Sequence, residues 1–157
     1  MTDTLSKEIK LKALIVKRLI NAIDEKAAIV KNEIQLAIET RDNETKSNVG
    51  DKYETTREMM QLEIEKNVFQ LNKYELQKNE LLKINIHKSH IKVEFGSLAF
   101  TSENIYFISI GLGKIEIENE AIYCISLISP IGKALQNKKA GEKIDFQGKE
   151  IFVTKII

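Results

Sequence analysis

Tryptophan is absent from this 157-residue chain, proline occurs once, at Pro130, and cysteine once, at Cys124. A single cysteine excludes an internal disulfide and a cysteine-based zinc cluster, and it fits a reducing compartment. With no proline ahead of Pro130, nothing there removes a backbone donor or clashes with a preceding turn, so long uninterrupted helices are permitted. Excess charge is also missing: Lys and Arg number 24 against 23 Asp and Glu, a formal net charge of +1. That balance gives no general attraction to nucleic acid or to a membrane surface, so any polyanion contact must come from a local patch. No apolar run approaches the ~20 residues needed to cross a bilayer. The opening MTDTLSKEIKLK lacks the apolar segment and cleavage site of a signal peptide. The expectation is a cytoplasmic chain without a membrane partner.

What is present changes character near residue 85. Before it the chain is rich in Lys, Glu, Leu, Ile and Ala; after it come all but one of the seven glycines and most of the β-branched alternation. Two domains are expected, residues 1–85 helical and residues 90–157 built on strands.

From Ile9 the apolar residues fall at Ile9, Ala13, Val16, Ile20, Ile23, Ala27, Val30, Ile34 and Ala37, in alternating steps of four and three. This is the heptad seam of a coiled coil. Thr4 or Ser6 is the expected cap and Asp42 or Asn43 the expected end, giving a helix of ~50 Å. The pattern resumes as Tyr53, Met60, Ile64, Val68, Leu71, Leu81 and Leu82, with Phe69 and Tyr74 beside the stripe. Two helices of similar length joined by a short polar loop predict an antiparallel hairpin with its tip at residues 42–51. That loop carries Asp42, Glu44 and Asp51.

In the second half, IKVEF, IYFISI and KIEIENEAIYCIS alternate as strands, with Ile115, Ile117, Ile122 and Ile125 available for a core. Ser129 and Pro130 open a short helix, the proline at a position where its missing donor costs nothing. KIDF, a Gln147-Gly148 turn and KEIFVTKII close the chain as a hairpin. The expected fold class is α+β, a long helical hairpin followed by a small antiparallel β domain with one short helix. Gly111-Leu112-Gly113 is too short for a dinucleotide fingerprint and reads as a turn. His87 and His90 read as linker residues rather than metal ligands, and Cys124 as a core or surface thiol rather than a nucleophile. No catalytic constellation of the chain's own emerges.

The hairpin with an acidic tip, followed by 128-ISPIGKALQNKKAGEKIDFQGKEIFVTKI-156, resembles the GreA/GreB transcript cleavage factors. YFISIGLGKIEIENEAIYCIS also follows the family's pattern, so the resemblance covers nearly the whole chain. It implies an FKBP-like β domain that docks at the secondary channel of RNA polymerase, with Ser129 and Pro130 as contacts. The hairpin would then reach the active centre, where tip carboxylates help polymerase hold a second Mg²⁺ and orient the water that cuts backtracked RNA. The protein would be no enzyme by itself and would have no cofactor of its own. If Tyr53 is matched to the family's tip tyrosine, the family's acid positions fall on Lys46 and Val49. The candidates here are therefore Glu44 and Asp51, for catalysis and for Mg²⁺, with Asp42 third.

Other readings stay open at this stage. Related channel-binding proteins occupy the channel without promoting cleavage. The first helix's seam also suits a non-catalytic adaptor or a dimer, although a monomer is the expectation. A basic patch of Lys7, Lys10, Lys12, Lys17 and Arg18 is a candidate for contact with nascent RNA.

Overall fold

A computed structural model describes residues 2–43 and 54–157 in full, with 44–47 and 50–53 as helical backbone only. Helix α1 spans Thr2–Ser47 and α2 spans Gly50–Leu82. Six strands and a short helix follow: β1 (Leu98–Thr101), β2 (Ile105–Ile108), β3 (Gly113–Ile117), β4 (Glu120–Ile125), α3 (Pro130–Leu135), β5 (Lys143–Phe146) and β6 (Lys149–Ile156). The class is α+β, as the sequence implied. Helix α1 starts ahead of the expected caps, with Asp3 in its first turn, where a carboxylate complements the exposed amides. It also continues through Asp42 and Asn43, where the sequence reading ended it.

The chain divides into two compact units, Ile20–Asn79 and Met1–Leu19 with Glu80–Ile157. In the first, Ile23, Val30 and Ala37 are buried along α1 at heptad spacing, and Ile64 and Asn67 are buried along α2. Two polar contacts fix an antiparallel register. Lys78 Nζ lies 2.8 Å from Asp24 Oδ1, and Arg41 Nη1 donates to Gln61 Oε1 at 2.7 Å. The step from Asp24 to Arg41 along α1 matches the step back from Lys78 to Gln61 along α2. Asn67 puts an amide in the seam, where it donates to Glu63 Oε1 at 3.4 Å; a buried polar residue of this kind penalises slipped registers. Val68, Phe69 and Leu82, assigned to the stripe or its edge from sequence, are exposed.

The second unit holds a six-stranded sheet of order β3-β4-β2-β1-β6-β5. Its pairs are antiparallel except β2 with β4, which run parallel. The parallel pair arises because β3 folds out as a hairpin and β4 returns between it and β2. Glu118 and Asn119 make that turn with φ of 51° and 68°, and Gln147 and Gly148 make the β5–β6 turn with φ of 51° and 77°. Positive φ at both central residues is the two-residue hairpin turn whose twist matches the strands.

IKVEF is not a strand. Its alternation is used at one residue, Val93, whose N–H and C=O pair with Lys138 O and Asn137 N at 2.8 Å each. The chain then bends at Gly96, φ 87°, and β1 begins at Leu98, three residues beyond the end of that stretch.

The sheet is buried on both faces at its centre. Ala99, Tyr106, Ile108, Ile151 and Val153 face a core completed by Val93, Leu135 and Ile144. Leu98, Phe107 and Cys124 stand in register on the opposite side and are also buried. Ile15, Leu19 and Leu81 are fully buried in the same unit and are the apolar residues available to cover that row. Of the four isoleucines assigned to a core, Ile122 is fully buried and Ile115, Ile117 and Ile125 are half-buried.

Candidate functional site

Among the tip candidates, Asp42 is exposed and its Oδ1 takes the Arg41 Nε at 3.1 Å. A guanidinium at that distance offsets the carboxylate's charge and competes with a cation for its oxygens. Glu44 and Asp51 lie outside the residues whose side chains are described, as do Lys46 and Val49. Among the described residues no group of three or more His, Cys, Asp and Glu side chains is arranged to hold a metal ion.

The Ser129-Pro130 corner is locally built. Ser129 Oγ donates to Ser126 O at 2.7 Å and accepts from Gly132 N at 3.1 Å, capping α3, with Pro130 in the first turn. Both capacities of the hydroxyl are thus used inside the fold, so a partner would meet this corner through its exposed residues. Pro130 is exposed, and Ile128 is 81% exposed, an unusual position for a large apolar side chain held in an ordered turn.

Helix α2 carries a second exposed apolar feature. Leu62, Phe69 and Leu76 recur at heptad spacing, each about two-thirds exposed or more. On a helix this spacing places them in one column. Relative to Ile64 and Leu71 the column lies on the side away from the seam.

The histidines separate. His87 is exposed, whereas His90 is buried and its Nδ1 lies 2.7 Å from Glu94 Oε1, so it is a packed residue and not a linker one. The same oxygen receives Lys88 Nζ at 3.2 Å. Burial lowers the His90 pKa, with the Glu94 bond opposing, while the His90 and Lys88 hydrogen bonds lower that of Glu94. Cys124 is a core thiol, and desolvation pushes its pKa up to about 12.

One member of the suspected basic patch is not at the surface. Lys12 is 2% exposed, while Lys7, Lys10, Lys17 and Arg18 are exposed. Its Nζ reaches Lys88 O at 3.5 Å, beside a cavity of about 70 Å³. Sequence offered a hint: Lys12 falls three and seven residues before Ile15 and Leu19, on the face that is buried here. Placing Ile9, Ala13 and Val16 at the seam hid that line.

No protein-family model matches the chain, and no curated protein matches it. No helix among the described residues is long and apolar enough to cross a membrane.

Proposed function

We propose that this chain is a Gre-like transcription elongation factor. It would bind RNA polymerase at the secondary channel through residues 90–157 and insert the helical hairpin toward the active centre. The supporting observation is architectural: an antiparallel pair of long helices is followed by a β domain whose Ser-Pro corner caps a short helix, as the resemblance implies. The exposed Ile128 and Pro130 supply a contact surface on that corner. In this reading the factor has no active site. Glu44 or Asp51 would add a carboxylate to a Mg²⁺ held by polymerase, an ion that prefers oxygen ligands and needs few from any one chain. Nascent RNA would be met only within that complex.

The test is RNA cleavage by backtracked polymerase complexes with the intact protein, Glu44→Ala and Asp51→Ala, with polymerase binding followed in parallel. Cleavage lost in either variant identifies the working carboxylate. Binding without stimulation makes the protein a channel occupant, and absence of both removes the polymerase reading.

The column of Leu62, Phe69 and Leu76 favours a second reading, a non-catalytic coiled-coil adaptor. Solution mass separates one form of it: a self-paired α2 face gives a dimer that Phe69→Asp dissolves, and a monomer excludes self-pairing.

A further inference from the structure

Lys12 presents a charge without an adequate counter-group. An ammonium has three donors and loses much of its hydration when buried, so it is ordinarily met by a carboxylate or by several carbonyls. Here one carbonyl, Lys88 O, lies at 3.5 Å, and among the described residues no carboxylate forms a salt bridge with Lys12, Glu8 acting on it only at longer range. The nearby carboxylates are engaged elsewhere: Glu8 takes Lys155 Nζ at 2.7 Å, and Glu94 takes Lys88 and His90. The cavity beside the ammonium is lined by Lys12, His87, Lys88, Ser89 and His90, with one carboxylate, Glu8, which is held by Lys155, and apolar walls that include Ile9. Its volume of about 70 Å³ exceeds what one water requires. His87 and Ser89 are exposed, so the cavity is reached from solvent. The Ser89 hydroxyl forms no hydrogen bond within the protein among the described residues.

We propose that this cavity is a binding site for a small oxyanion, a phosphate or carboxylate group. The buried Lys12 ammonium holds it, and the Ser89 hydroxyl and the His87 ring complete the donor set. The bound anion supplies the missing counter-charge, and burial of Lys12 makes that pairing stronger than it would be at an open surface. The proposal is independent of the polymerase reading, because it concerns residues that neither the tip nor the Ser129-Pro130 corner uses. Desolvation lowers the Lys12 pKa to about 8, with Glu8 opposing and Lys88 adding to the shift. Near neutral pH the group is thus still a cation, and anion affinity falls as pH rises beyond that value. The charged groups around it are Glu8 with Lys155, Lys88 with Glu94, and the histidines 87 and 90.

The experiment titrates the intact protein with inorganic phosphate, sulfate or acetate at constant ionic strength set with chloride. Unfolding temperature and the backbone amide resonances of Lys88, Ser89 and His90 are followed. The expected result is a saturable rise in the unfolding midpoint and a saturable shift of those three amides. The anion that saturates lowest identifies phosphate or carboxylate as the preferred group. Lys12→Met weakens binding by about tenfold or more, and Ser89→Ala by a few-fold. If all three anions act like chloride on the wild type, or if Lys12→Met binds as well as wild type, the site does not exist. The wild-type amide titration decides the matter even if a variant fails to fold.

Discussion

His90 and Glu94 are joined at 2.7 Å through Nδ1 and Oε1 across a bend in the chain, with the histidine side chain 2% exposed. An ionised carboxylate only accepts, so the neutral imidazole carries its proton on Nδ1. The ring and Ile84 pack where Gly96 has no side chain, and the φ of +87° at that glycine turns the chain into β1. The pair thus holds the entry to the sheet.

Both groups have depressed pKa values, and the sign follows for each. The unfolded chain takes a proton at His90 near 6.5 and at Glu94 near 4.5, in each case before the folded chain does. The stability that this pair contributes is therefore complete above about pH 6.5 and is lost on acidification, first through His90 and then through Glu94. His90→Gln should flatten the part of the curve just below pH 6.5, where one proton contributes a slope of at most ~1.4 kcal/mol per pH unit. Urea denaturation from pH 5 to 8 measures it, and an unchanged slope would assign the acid sensitivity to other groups.

The α3 corner depends on Gly132 as much as on its cap. A Cβ there would collide with Ser126 O and stand 2.8 Å from Ser129 Oγ, the two atoms whose hydrogen bond builds the turn. Gly132→Ala is expected to destabilise by about 2–4 kcal/mol, through overpacking and loss of the cap. Ser129→Ala removes the cap alone and should cost about 1 kcal/mol. A thermal melt orders the two; equal effects would mean the backbone relaxes around the added methyl.

Much of this corner was legible because it is local. A serine cap, a proline in the first turn and the Gln147-Gly148 turn each act over a few residues, and each formed where the sequence placed it. What was hidden depends on distant packing. The stretch KIEIENEAIYCIS reads as one alternating strand, yet Glu118-Asn119 reverses it, and the sign was a change of parity between Ile117 and Ile122. Lys12 read as one member of a basic surface patch because burial of α1's first turns is decided by residues far along the chain. At the tip, sequence named Asp42, Glu44 and Asp51; for Asp42 the pairing with Arg41 was readable from adjacency.

The β3–β4 turn gives a stabilising prediction. Glu118 has φ of 51° and Asn119 has φ of 68°, and a glutamate in that region carries steric strain that Asn or Gly relieves. Glu118→Asn with Asn119→Gly should raise stability by roughly 1 kcal/mol, judged by chemical denaturation. A loss would show that Glu118 makes a compensating contact.

Cys124 should be inert in the folded protein. With its pKa pushed up to about 12, roughly one thiol in ten thousand is ionised at pH 8, and burial blocks access as well. Iodoacetamide should label it only after denaturation. Rapid labelling of the native protein would mean that the sheet opens around β4 far more often than its full burial implies.

Lys12 provides the sharpest pH prediction. Its folded pKa of about 8 lies below the ordinary 10.5, so between those values the unfolded chain holds a proton that the folded chain has lost. Stability therefore rises with pH through that window, and below about pH 8 the folded state bears the full cost of the poorly partnered ammonium. Lys12→Met keeps the aliphatic stem and removes the charge, so in anion-free buffer it should be more stable than wild type by ~1–3 kcal/mol at pH 7. The gain should shrink as pH approaches 10.5, and saturating phosphate should narrow it by stabilising the wild type alone. Urea denaturation at pH 7, 8.5 and 10 reads both effects. A methionine variant that is less stable at pH 7 would show that the ammonium is already satisfied by the fold, and a gain that persists at pH 10 would place the cost of Lys12 in packing rather than in charge.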